Sequence, residues 1–238
     1  MSTADQHGQQ AAPSPEGFRQ ARFRPPPGST TLFLVRHGES APATAERPFD
    51  LVDGHGDPPL HPDGERQAEA LGARLARDHD EGETIDALYV TTLRRTSQTA
   101  APLARAIGIT PVVEPDLREV HLGDWEGGLF RERVAAGDPL VARIFGEERW
   151  DVIPGAEPQE AFESRTEAGL ARIVAAHPGQ RVVVVIHGGV IGQLLHRATG
   201  SSRFAFAGAD NASISELVDI GPRRILRRFN DTSHLRRD

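Results

Sequence analysis

The sequence contains no cysteine and no lysine. Without cysteine there is no disulfide, no thiolate nucleophile and no cysteine-ligated metal or iron–sulfur site. Without lysine, Schiff-base chemistry and Walker-type phosphate binding are unavailable, and all 27 basic side chains are arginine. No apolar run approaches the ~18 residues that a membrane span needs. The opening stretch MSTADQHGQQAAPSPEG has neither the basic head nor the apolar core of a secretory signal. These absences lead us to expect a cytoplasmic protein with no membrane partner. A net charge of -7 argues against a general nucleic-acid binder.

The 238 residues, 38% hydrophobic and 26% charged, suit one large domain with a full core, or at most two small ones. Residues 1–29 are rich in Gln, Ala, Ser and Pro and end in Pro25-Pro26-Pro27-Gly28, a composition that reads as a disordered arm before a domain over 30–238. From Thr31 the pattern changes. Thr31–Arg36 (TLFLVR), Ala87–Val90 (ALYV), Pro111–Val113 and Arg181–Ile186 (RVVVVI) read as strands. Helices are expected over Pro62–His79, Leu93–Ile107 (closed by Gly108), Arg131–Arg149, Glu160–His177 and Gly192–Thr199. Residues 114–130 read as loop. Ser213–Asp219 and Arg224–Phe229 read as a closing hairpin around Gly221-Pro222. Strands alternating with helices imply an α/β fold, a three-layer α/β/α sandwich with a mainly parallel central sheet and an antiparallel edge. Thr31–Val35 and Val182–Ile186 are wholly apolar and are expected to be adjacent central strands.

Two segments share one design. LFLVR runs into His37-Gly38, and VVVVI runs into His187-Gly188-Gly189. In open parallel sheets, ligands bind beyond the carboxyl ends of the strands. The glycines let a ligand approach the backbone, and a helix after Gly189 offers free N–H groups to an anion. One such histidine alone reads as a satisfied strand-end residue. Two in the same setting, one preceded by Arg36, point to an anion site.

Arg36-His37-Gly38-Glu39-Ser40 resembles the RHGE signature of the histidine phosphatase superfamily, which includes the phosphoglycerate mutases. Further segments resemble family motifs in the family's order. These are Leu60-x-Pro62-x-Gly64-x-x-Gln67-Ala68, Thr91-x-Leu93-x-Arg95-x-x-Gln98-Thr99-Ala100, Leu117-x-Glu119-x-x-x-Gly123-x-Trp125-Glu126-Gly127 and His187-Gly188-Gly189-Val190-Ile191. The resemblance implies that His37 is the phosphorylated nucleophile. It implies that Arg36, Arg95 and His187, with the backbone at Gly188, hold phosphate, and that Glu119 gives a proton to the leaving group. The Leu-x-Arg spacing selects Arg95 over its neighbour Arg94.

Those residue types suit the chemistry. Phosphoryl transfer needs positioning and charge neutralisation more than covalent help. Arginine grips phosphate oxygens with a planar fork and keeps its proton. Neighbouring guanidinium groups disfavour a protonated His37 and so keep the nucleophile active. A carboxylic acid at Glu119 can protonate the departing alkoxide and afterwards, as carboxylate, activate water. No metal and no cofactor are expected, because arginines supply the positive charge and no convincing ligand spacing occurs. The expected partner is a small phosphorylated substrate, and a homodimer is left open. His55, His61, His79, His121, His177, His196 and His234 read as surface or capping residues, with His121 at the rim of the pocket. Trp125 reads as a packing residue, and the Arg223–Arg228 cluster, with Arg236 and Arg237, as the solvated face of an edge strand.

The sequence departs from the family in the segment after His37. Many members carry Ser/Thr-x-Trp-Asn after RHGE, with an asparagine on phosphate. Here Ser40 leads to Ala41-Pro42-Ala43. Many also carry Gln-Gly before Asp-x-Pro-Leu, where this chain has Asp53-Gly54 before Asp57-Pro58-Pro59-Leu60. A carboxylate there must turn away from phosphate or meet a basic or polar part of the substrate. The Gly-x-Trp-Glu-Gly continuation resembles the phosphatase branch, which implies hydrolysis of a phosphomonoester of a small metabolite. The alternatives are a cofactor-dependent mutase and a catalytically inactive phosphate-binding module.

Overall fold

A computed structural model describes residues 20–44 and 48–235. Of the arm expected over 1–29, residues 1–19 lie outside the described residues, as do Arg236 and Arg237. From Pro26 the chain is turned, with the Ser29 N–H donating to the Pro26 carbonyl at 3.1 Å. In chain order the elements are β1 (Thr30–Arg36), β2 (Leu51–Val52), β3 (His55–Gly56), α1 (Pro62–Asp80), β4 (Ala87–Val90), α2 (Arg94–Ile107), β5 (Val112–Val113), α3 (Leu129–Ala135), α4 (Pro139–Glu147), α5 (Gln159–Ala176), β6 (Arg181–Ile186), α6 (Gly188–Thr199), β7 (Ile214–Asp219) and β8 (Arg224–Asp231). No helix among the described residues is long and apolar enough to cross a membrane.

Six strands form one sheet in the order β5-β4-β6-β1-β7-β8. The first four are parallel, and β7 and β8 complete an antiparallel edge. Thr31–Val35 and the Val182–Ile186 run are adjacent, with Leu32 beside Val182 and Val35 beside Val185. Alternate side chains of these central strands enter opposite layers, as the pleat requires. Leu32, Leu34, Val182 and Val184 pack with Phe162 and Leu170 of α5 and with Val190 and Leu194 of α6. Phe33, Val35, Val183 and Val185 pack with Leu71 and Leu75 of α1 and with Ala100 and Leu103 of α2. Burial on both faces explains why β1 and β6 are continuous apolar runs rather than alternating ones. Each such side chain contributes about 1.5–3 kcal/mol by leaving water.

Three elements differ from the sequence expectation. The single helix expected over Arg131–Arg149 is two, α3 and α4. Gly137 adopts a left-handed φ of 67°, Asp138 caps α4 by accepting from the Leu140 N–H at 2.9 Å, and Pro139 opens the new helix. Proline fits a first helical turn because its missing N–H would have no partner there. Helix α6 begins at Gly188 rather than Gly192, so its free N–H end lies directly against His187. Leu51–Gly56 is a small hairpin whose turn, Asp53-Gly54, has φ of 49° and 82°. That pair of positive φ values is what an Asp-Gly hairpin turn provides.

The arginines of β8 are not simply solvated. Arg224 pairs with Glu167 and Asp219, and Arg228 with Glu216 and Asp231.

Candidate active site

Strands β1, β4 and β6 end along one sheet edge, and their carboxyl ends carry the residues singled out in the sequence. His37 follows β1, Thr91 follows β4 ahead of Arg95 in the first turn of α2, and His187 follows β6. The parallel pairing of β1 with β6 sets the two imidazoles side by side, with ring centroids 5.3 Å apart. Arg36, His37, Arg95 and Glu119 line one cavity of about 270 Å³. His187 lies beneath them, fully buried.

The hydrogen bonds define which nitrogen of each ring is free. His37 Nδ1 lies 2.7 Å from the Gly38 carbonyl oxygen. A carbonyl only accepts, so Nδ1 carries the proton and Nε2 keeps its lone pair. Arg95 Nε donates to that Nε2 at 3.2 Å. The Asn211 side-chain amide donates to the His37 carbonyl at 2.9 Å and holds the backbone from the far side. His187 Nε2 meets the Thr91 hydroxyl at 3.0 Å, whereas its Nδ1 and Arg36 Nε have no hydrogen-bond partner among the described residues. Buried polar atoms are normally paired, so unpaired ones at one site mark a place prepared for an anion.

Glu119 is fixed from the backbone. Its carboxylate accepts from its neighbour's N–H at Val120, 3.0 Å, and from the Gly189 N–H at the start of α6, 3.2 Å. A methyl group at position 189 would stand 2.6 Å from Glu119 Oε1, so the second glycine of the motif makes room for this carboxylate. The residue as a whole is only half-buried, but its carboxyl lies deep.

The electrostatics follow from this crowding. Burial holds the His37 imidazole well below the usual histidine range, reinforced by the cations of Arg95 and Arg36. Burial does the same to His187, with Arg95 the next cause. Burial pushes the Glu119 carboxyl up, against the Val120 and Gly189 N–H groups and the two arginines, which favour the carboxylate. The site therefore combines two neutral imidazoles, cationic guanidinium groups and a carboxyl displaced toward its protonated form.

Arg94 and Arg95 take opposite directions. The Arg95 guanidinium is buried and turned inward, with Nη1 on the Gly56 carbonyl at 2.9 Å. The Arg94 side chain is 44% exposed and folds back on Asp57, whose carboxylate also accepts the Arg94 N–H at 2.9 Å. Arg95→Ala should lower kcat/KM by about 100-fold or more, the usual loss for a donor aimed at developing charge. Arg94→Ala should cost no more than about fivefold, as for an exposed ion pair. Steady-state kinetics on both variants decide the matter, and equal losses or the reverse order would overturn the assignment.

Several site residues were not anticipated. Arg131, on α3, donates to the Ser40 hydroxyl at 2.6 Å and to the Ala41 carbonyl at 3.0 Å, so its guanidinium lies beside the segment in which the family's asparagine is missing. It carries no motif and is one arginine among 27. His55 is buried and lines the cavity, its Nε2 without a partner among the described residues, although the sequence reads as making it a surface or capping residue. The Asp-Gly turn sends it inward, against His121 at 5.0 Å between centroids. Asp53 turns away and pairs with Arg118 at 3.3 Å. Trp125 is buried against Ile144 and Ile153 and also forms part of the cavity wall. Glu39, His61 and Asp63 bring ligand-type atoms within 4.8 Å of one another near the solvent side. His61 already caps α1 by accepting from the Asp63 N–H, and Asp63 pairs with Arg66.

Comparison with known proteins shows the family. The profile of the histidine phosphatase superfamily, branch 1, matches residues 32–232. Phosphoglycerate mutase-like protein 4 of Arabidopsis thaliana is 35% identical over 208 residues, 86% of this chain and 86% of that one. A metal-independent phosphoserine phosphatase of the same plant is 31% identical over 208 residues, 87% of this chain and 83% of its own length. Among solved structures, a mycobacterial glucosyl-3-phosphoglycerate phosphatase superposes with a TM-score of 0.69 at 25% identity, over 86% of this chain and 100% of that one.

Proposed function

The chain belongs to branch 1 of the histidine phosphatase superfamily, and from that premise we propose that it is a metal-independent phosphomonoesterase acting on a small phosphorylated metabolite through a phosphohistidine at His37. The observation that carries this reading is the state of the His37 ring. Its Nδ1–H is tied to the Gly38 carbonyl, and its unprotonated Nε2, which accepts from Arg95 Nε, stands at a cavity lined by Arg36, Arg95 and Arg131.

In the first step Nε2 attacks phosphorus and the bond to the ester oxygen breaks. Arg36, Arg95, the His187 Nδ1–H and the Gly188 N–H take the phosphoryl oxygens. Glu119 passes its proton to the leaving alkoxide. In the second step water attacks the phosphorus of phosphohistidine, Glu119 as carboxylate accepts its proton, and inorganic phosphate leaves with neutral His37 restored. Arg131 supplies a further guanidinium on the side where the asparagine of other members is missing.

The names of two relatives, each a phosphatase, support hydrolysis over isomerisation. Release of inorganic phosphate from p-nitrophenyl phosphate tests the reading. Release should persist in EDTA, because the arginines provide the charge that a metal would. Full loss in EDTA restored by a divalent ion would refute the metal-independent scheme. Bisphosphoglycerate-dependent isomerisation without net phosphate release would identify a mutase, and neither activity would leave a phosphate-binding module.

A further inference from the structure

Beside the phosphate cavity lies a second one of about 290 Å³, which shares Arg36, Glu119, Phe130 and Trp150 with it. We infer that this compartment receives the alcohol portion of the substrate, and that this portion ends in a planar, uncharged ring system with a hydrogen-bond acceptor at its edge. The inference rests on the phosphomonoesterase reading, because it takes Glu119, at the junction of the two cavities, as the proton donor to the leaving oxygen.

The wall of the compartment is a row of rings. Phe130 and Trp150 are 6.0 Å apart between centroids, Trp150 and Phe204 5.0 Å, and Phe204 and Phe145 5.8 Å. These spacings are those of rings that pack on one another, and such a row accepts another flat group. On the α6 side, Gly189 and Gly192 present no side chain.

Charge is scarce in this compartment. Beyond the shared Arg36 and Glu119, Arg203 is the one ionic residue in its lining, and Arg203 Nε donates to Glu163 at 3.1 Å. A second anion on the leaving group would lose its hydration there and meet a cation already paired.

One uncharged amide, that of Gln193, belongs to the lining. Gln193, 4% exposed, has an Nε2 with no partner among the described residues. Its amide orientation is set by Gln159. Gln159 Oε1 accepts from the Trp150 N–H at 3.4 Å, so Gln159 Nε2 donates, to Glu163 at 3.1 Å and to Gln193 Oε1 at 3.3 Å. Gln193 is thereby left with two N–H donors that have no partner among the described residues. An acceptor on a ring edge, a carbonyl or a ring nitrogen, satisfies them.

The test uses esters of primary alcohols, so that leaving-group basicity is nearly matched: ethyl phosphate, O-phosphoserine, 2-(1-naphthyl)ethyl phosphate and a nucleoside 5′-monophosphate. The ring-bearing esters should exceed ethyl phosphate and phosphoserine in kcat/KM by about tenfold or more, the scale expected for burying one aromatic ring. Phe204→Ala, and separately Ala207→Phe, which fills the compartment from an exposed position, should each collapse that ratio. Gln193→Leu should lower the nucleotide more than the naphthyl ester. Preference for phosphoserine or ethyl phosphate, or a ratio unmoved by both Phe204→Ala and Ala207→Phe, overturns the inference. If no ester is hydrolysed, the phosphatase reading fails on its own. The ring compartment is then judged by equilibrium dialysis of 2-(1-naphthyl)ethanol, where saturable binding weakened by Ala207→Phe supports it and absence of binding refutes it.

Discussion

His37→Ala should abolish phosphate release and covalent labelling together, a loss of at least about 10,000-fold, or ~5.4 kcal/mol of barrier. Two histidines occupy matching strand ends, so the prediction depends on telling them apart. His37 has its Nδ1 bound to the Gly38 carbonyl, and its unprotonated Nε2, which accepts from Arg95 Nε, belongs to a residue lining the cavity. His187 uses Nε2 on the Thr91 hydroxyl and is fully buried. The geometry suits attack by the first and hydrogen-bond donation by the second. Phosphohistidine is acid-labile and survives base, unlike phosphoserine. Rapid quench of the wild type with labelled substrate should therefore trap acid-labile, base-stable label on His37. His187→Ala should slow labelling and turnover, with the remaining label still on His37. Label on His187, or normal turnover in His37→Ala, would defeat the mechanism.

Glu119→Gln should lower kcat by about 100- to 10,000-fold on an alkyl phosphate, the usual share of general acid catalysis. It should also change the shape of the pH profile. Glu119 acts first as an acid, and burial pushes its carboxyl above the ordinary glutamate value, so in the wild type activity falls as pH rises through that elevated value. His37 acts as a neutral nucleophile held well below the ordinary histidine value, so the acid-side loss begins only at a pH well under that value. Glutamine cannot titrate. The alkaline limb should vanish in Glu119→Gln while the acid limb stays, once titration of the ester itself near pH ~6 is allowed for. A p-nitrophenyl ester, whose leaving group needs little protonation, should suffer much less than an alkyl one. An unchanged alkaline limb, or equal losses on both esters, would assign the proton to another group.

The two strand-end imidazoles and the main elements of the fold were legible because each depends on local pattern. A buried parallel strand must be apolar throughout, so TLFLVR and RVVVVI announce the centre of the sheet, and the residue after each must emerge at its carboxyl edge. The Leu93-x-Arg95 spacing of the motif it resembles selects Arg95 over Arg94, and one step along a helix, about 100°, turns one arginine inward and the other toward Asp57. The break between α3 and α4 also had its signal in Gly137-Asp138-Pro139.

The remaining features had no local signal. Arg131 is 94 residues from His37, and nothing about its neighbours distinguishes it from the other arginines. Only the packing of α3 over the cavity brings its guanidinium to Ser40. His55 is turned inward by a two-residue hairpin too short to show periodicity. The ring wall draws Phe130, Phe145, Trp150 and Phe204 from separate segments, and Gln193 becomes a directed donor only because Gln159, on another helix, takes its oxygen. Strand and helix patterns are written in neighbouring residues, whereas a pocket is made where distant segments meet. The chain's own order therefore marked the two strand-end histidines and the strands that carry them, and the ring-lined compartment beside them was made by tertiary packing alone.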